Sequence, residues 1–124
     1  MCKKISLSVR VGYLEKSIID LLSVELNPGE IKLLPGGIKH IRKKRPDCFD
    51  KYLGKISSII SKPDYIGSNP KYLNSIEYIK KIEENILVAV RLDNKKCILC
   101  VATMYQVTDS KINRMLKKNR IIKL

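Results

Sequence analysis

The sequence predicts an α+β domain, with helices gathered toward the N-terminal half and packed against a small antiparallel sheet. Phe49, Tyr52, Leu53, Ile56, Ile59 and Ile60 recur at helical spacing, whereas the apolar stretches Ser75–Ile82, Ile86–Leu92 and Cys97–Val107 read as strands. Asp93-Asn94-Lys95-Lys96 joins the last two as a hairpin turn. The chain has 124 residues, enough for one core without disulfides or metal, so a single domain over residues 1–124 is expected.

The elements follow in order. Ile5 to Val11 reads as a strand, and Tyr13 to Val24 carries Leu14, Ile18, Leu21 and Leu22 at a helical period. Asn27-Pro28-Gly29 turns the chain into a short strand at Ile31–Leu34. Pro35 opens a helix at its first turn, although Gly36 and Gly37 weaken it. Ile38 and Ile41 face inward; His40 lies about 200° around the helix from Ile38 and so looks outward with Lys43 and Lys44. Pro46 stops that helix, and Asp47 is placed to cap one long helix from Phe49 to Ile60. After Pro63, PDYIGSNPKYLN is a loop or short extended piece in which Asp64 bonds a turn. Beyond the three strands, a basic helix from Asp109 to Lys118 closes the chain.

Charge narrows the partners. The 25 basic and 12 acidic side chains leave a net charge of +13, spread evenly along the chain. Such a balance favours a polyanion: RNA, DNA, an acidic protein or an anionic membrane surface. No apolar run approaches the roughly 20 residues that a helix needs to span a bilayer, and MCKKISLSVR alternates rather than forming a signal-peptide core, so a cytoplasmic protein is expected. Cys2, Cys48, Cys97 and Cys100 are expected to be reduced thiols. Cys97 and Cys100 form a CxxC, but neither other cysteine brings a second ligand pair, and residues three apart on a strand face opposite sides. No metal or other cofactor is expected.

The chain's one histidine sits in IKLLPGGIKHIRKKRPD, where Lys39, Arg42, Lys43, Lys44 and Arg45 surround His40. Histidine is the side chain suited to moving protons near neutral pH, and the cations around it suit a phosphate. The bland alternative is a solvated basic face carrying an ordinary surface histidine. Strand parity adds Lys80, which interrupts the row Ile76, Tyr78, Ile82. With Ile82 opposite Ile86 and Asp93 opposite Lys96, Lys80 would lie two strands from Thr103 and Tyr105 on one face. Lysine at a sheet edge also discourages aggregation, and threonine and tyrosine are favoured in strands for packing alone.

The order of these pieces, with HIRKKRPD on one helix, PDYIG after the next and VATMY in the last strand, resembles the phage-associated nuclease domains of the barnase, EndoU, colicin and RelE superfold, best over residues 30–107. The resemblance implies a metal-independent ribonuclease, often a toxin, that promotes attack of the ribose 2′-hydroxyl on the adjacent phosphate and leaves a cyclic phosphate. By position, His40 would match the family's helix histidine, Lys80 its basic strand residue, and Thr103 and Tyr105 its polar pair on the terminal strand. Many relatives carry a second histidine before the proline. Arg45 stands there in this chain, which puts a two-histidine mechanism out of reach. His40 would then move the proton, Lys39, Lys43, Lys44 and Arg45 would hold RNA, tRNA among the candidates, and an acidic immunity or antitoxin protein would cover the basic face. Two other classes stay open: a catalytically silent RNA- or DNA-binding module, and an interaction protein that binds a host factor.

Overall fold

In the computed structural model, which describes residues 9–71, 74–93, 95 and 97–124, the chain folds around one seven-stranded sheet. The elements are β1 (Val9–Leu14), α1 (Lys16–Leu22), β2 (Gly29–Leu33), α2 (Pro35–Lys44), α3 (Pro46–Tyr52), a 3-10 turn (Leu53–Lys55), α4 (Ile56–Ser61), β3 (Tyr65–Gly67), β4 (Ser75–Lys81), β5 (Asn85–Asp93), β6 (Ile98–Val107), α5 (Asp109–Lys117) and β7 (Ile121–Lys123). Strand order is β1-β2-β6-β5-β4-β3-β7. Only β2 and β6 pair in parallel; the other neighbours are antiparallel. The class is α+β, as the sequence predicts.

Alternation along the strands builds a core on each face of the sheet. One face carries Ile76 and Tyr78 of β4, Ile86, Val88 and Val90 of β5, and Leu99, Val101 and Met104 of β6, packed on Ile41 of α2, Phe49 and Tyr52 of α3 and Ile56, Ile59 and Ile60 of α4. The other face buries Ile79, Leu87, Ala89 and Val107 under Ile112 and Met115 of α5 and Ile121 of β7. Because α5 is short, it covers only part of that second face. Thr108 fixes where it starts, its hydroxyl accepting the Lys111 amide at 3.2 Å.

Several local expectations are corrected. The helix expected from Phe49 to Ile60 is broken by the 3-10 turn at Leu53–Lys55, where Leu53 is exposed and Gly54 weakens the helix. Asp47 lies inside the first turn of α3, suiting the helix dipole, while Arg45 occupies the capping position without a side-chain bond. The Asp64 carboxylate accepts the Lys81 amide at 2.8 Å on β4 instead of closing a local turn. Cys97 precedes β6, with φ 56. The early strand begins at Val9 among the described residues, and Cys2, Asn94 and Lys96 lie outside them.

The register between β4 and β5 differs from the expected one. Lys81 pairs with Asn85, which puts Lys80 opposite Ile86 and Tyr78 opposite Val88. In β6 the pairing jumps from Ala89↔Thr103 to Val90↔Val101, so Ala102 is an extra residue, a bulge. The bulge reverses parity: Val101 joins the helix-side core while Thr103 and Tyr105 turn to the opposite face. Lys80 shares its face with Tyr78, and its ammonium donates to the Lys62 carbonyl at 2.8 Å, at the C-terminus of α4. A cation suits that helix end, so the position serves the helix.

Candidate active site

The part of the second sheet face left open by α5 is a cavity of about 630 Å³. Its floor is strand residues of one parity: Ser75 and Glu77 on β4, Ala89 and Arg91 on β5, Thr103 and Tyr105 on β6. One wall is α2, which contributes His40 and Lys44, followed by Arg45; Lys111 of α5 and Asn69 close the rim. The helix reaches this place because β2 pairs with β6 only at Leu99 and Cys100, leaving the rest of that strand edge for α2 to cover. Gly37 permits the approach, since a Cβ there would lie 3.0 Å from the Val101 carbonyl oxygen.

His40, Thr103, Tyr105, Lys44 and Arg45 therefore line one cavity, with the histidine exposed. Lys39 and Lys43 are exposed on the same helix but are not among the cavity's walls. Lys80 is on the other face, outside the cavity. Sequence reasoning missed Glu77, Arg91, Lys111, Ser75 and Asn69. The signal was present: a carboxylate in SIEYIKK and a guanidinium in NILVAVRLD are costly in apolar central strands unless they have partners or a task.

Glu77 is the buried acid of the cavity floor, its side chain 3% exposed. Nη2 of Arg120 donates to both of its oxygens at 2.9 Å, and Asn69 reaches one of them at 3.5 Å. Two cations flank the ring of Tyr105, the Arg45 guanidinium at 5.7 Å from its centre and the Lys111 ammonium at 5.5 Å. Burial, and then the charge of Glu77, push the Tyr105 phenol up, against the opposing pull of Arg120 and Arg45. The hydroxyl therefore stays protonated at neutral pH and is available as a donor. Arg120 pairs with Glu77, and Lys44, Arg45, Arg91 and Lys111 bring further positive side chains to the cavity walls. Cys48 lies just beyond Arg45, where burial holds its thiol in the neutral form, so it is not an activated nucleophile.

An exposed imidazole, a protonated phenol and several fixed cations around one space is an arrangement that can hold a phosphodiester and move a proton on it. A family model described as phage-Barnase-EndoU-ColicinE5/D-RelE like nuclease3 matches residues 9–114. The chain belongs to this nuclease family. The match runs from β1 into α5 and so contains all the sheet strands except β7, together with every wall of the cavity. No curated protein and no solved structure matches the chain. Among the described residues, no group of three or more His, Cys, Asp and Glu side chains is placed to hold a metal, and no helix is long and apolar enough to cross a membrane.

Proposed function

We propose that this member of the nuclease family is an endoribonuclease that opens the RNA backbone with the substrate's own 2′-hydroxyl, leaving a cyclic phosphate and a free 5′-hydroxyl. The observation that carries the reading is the meeting of His40 with Thr103, Tyr105, Lys44 and Arg45 in one cationic cavity. His40 accepts the 2′-hydroxyl proton as the oxygen attacks phosphorus, and the same ring can return it to the departing 5′-oxygen. The cations hold the non-bridging oxygens as charge gathers on them, and the Tyr105 and Thr103 hydroxyls donate to the phosphate. Arg45, next to the proline, stabilises charge but does not exchange protons. Because the nucleophile belongs to the substrate, the reaction needs no metal to generate one, and DNA should bind without being cut.

A toxin role fits the same reading, with the cationic face covered in the producing cell by an acidic immunity or antitoxin protein, and with RNA met in the cytoplasm. The test is incubation with total RNA in EDTA beside a His40→Ala control. Cleavage should survive chelation and fall by about 10²–10⁴-fold in the variant. RNA bound but left intact by the wild-type protein would replace this reading with a silent binding module, and binding indifferent to salt would favour a protein partner instead.

A further inference from the structure

The active-site cavity does not stand alone. Arg91 and Ala102 are shared with a second cavity of about 320 Å³ that runs past Gly37 and Leu34 to Cys100 and Asp93. At the opposite end Lys44, Arg45 and Tyr105 are shared with a third, also about 320 Å³, that reaches Asp47, Cys48 and Gln106. The three adjoin in a row beside α2, and we treat them as one groove. Along β6, Cys100, Ala102, Thr103, Tyr105 and Gln106 line it in order, from first to last six steps that span roughly 20 Å at the usual strand rise.

Resting on the ribonuclease reading, we propose that this groove is a track for single-stranded RNA of about three nucleotides, with one nucleotide and its scissile phosphate in the His40 cavity and one further nucleotide on either side. Length is the first argument. At about 3.4 Å per stacked nucleotide the span would hold about six, and at roughly twice that rise, with the bases splayed apart, it takes about three. Charge is the second. The cations concentrate at the centre and at the two junctions, whereas each far end carries a carboxylate, Asp93 at one and Asp47 at the other. One phosphate is therefore drawn to the middle of the groove. The third argument is the lining of the flanks. Leu34, Leu92 and Ala102 on one side and Pro46 and Cys48 on the other present apolar surface suited to the face of a base. A base enters such a compartment only if it is splayed from its neighbours, which paired bases in a duplex are not.

Uncleavable 2′-O-methyl oligonucleotides of one to eight residues, titrated against wild-type protein by fluorescence anisotropy, test the groove apart from the chemistry. Affinity should climb about tenfold per nucleotide up to three or four, then change by about twofold or less. A hairpin should compete through its loop, and a blunt duplex should not. Ala102→Leu, which narrows the junction on the Arg91 side, should shorten the plateau by one nucleotide while its circular dichroism stays native. A steady gain through eight residues, a duplex bound as tightly as a single strand, or an acidic peptide bound equally well would each overturn the proposal, and the length series decides it even if the variant misfolds. Cleavage without a plateau sinks the groove alone; a plateau without cleavage sinks the reaction reading alone.

Discussion

Arg120→Ala should be among the most destabilising single substitutions in the protein, because it strands the Glu77 carboxylate on the floor of the cavity. Glu77 is 3% exposed and accepts from Arg120 at 2.9 Å through both oxygens, while Arg120 itself is 24% exposed. Removing one partner of a buried pair costs about 3–5 kcal/mol. The two truncations should therefore differ: Arg120→Ala leaves the deeper charge behind and falls at the upper end, whereas Glu77→Ala leaves a cation that can turn toward water and falls at about 2–3 kcal/mol. For a domain of this size 1 kcal/mol moves Tm by about 3–6 °C, so Arg120→Ala, at about 5 kcal/mol, should melt about 15–30 °C below wild type. Replacing both with methionine should cost less than Arg120→Ala alone, since no charge is then left without its partner. Thermal and urea denaturation of the double-mutant cycle give the coupling, expected at about 2 kcal/mol or more. Additivity of the two single changes within about 0.5 kcal/mol would refute the reasoning.

Other expectations follow from single contacts. The Tyr78 hydroxyl is buried with no hydrogen-bond partner among the described residues, and burial raises its pKa, so Tyr78→Phe should gain about 1 kcal/mol in urea melts at pH 7. Tyr78 and Tyr105 both hold their protons more tightly folded than unfolded; the stability they contribute is whole below about pH 10 and is lost above it, so Tyr78→Phe should also move alkaline unfolding upward. Glu77→Gln removes one of the causes that raise the Tyr105 phenol, so ultraviolet titration should show that pKa fall; an unchanged value would remove Glu77 from the field at the phenol. Gly67→Ala would drive a Cβ into the Arg120 carbonyl oxygen and to 2.7 Å from Ile121 Cγ2, separating β3 from β7 at a cost of about 1–3 kcal/mol read as a lowered Tm. Lys44→Ala and Arg45→Ala should each flatten the salt dependence of RNA binding by about 0.7 in log–log slope; an unchanged slope would remove those side chains from the phosphate path.

How much of this could be read from the sequence depended on whether the information was local. Pro35, Pro46 and the spacing of Ile38 and Ile41 marked the ends and inner face of α2, and hence turned His40 outward. The long apolar strands β4, β5 and β6 and the capped helix α5 were legible for the same reason. β3 and β7 were not. Each has three residues, too few to show a period; β3 exists because β4 and β7 supply its hydrogen bonds, and the edge strand β7 because β3 does, across sequence separations that no local pattern reports. Glu77 was hidden by the same nonlocality, since its partner Arg120 is 43 residues away in a tail that reads only as basic.

The residue that decides the site is also the one that simple alternation misreads. Without the bulge at Ala102, Thr103 would follow Val101 onto the face that packs against the helices. With it, the strand turns over between them: Val101 stays in the core, and Thr103 and Tyr105 come to lie beside Glu77 and Arg91, across from His40. Lys80 keeps regular parity on an unbulged strand and is left on the helix side, holding the end of α4. The same extra residue lines both the central cavity and the neighbour on the Arg91 side, so one inserted position sets both which hydroxyls face the cavity and where the groove continues. Deleting Ala102 should therefore leave Thr103 and Tyr105 facing the cavity, because Thr103 would then follow Val101 directly and alternate with it; the core should stay packed and the loss should fall on the junction on the Arg91 side, whereas a strand that kept Ala102 but lost the bulge would turn both hydroxyls into the core.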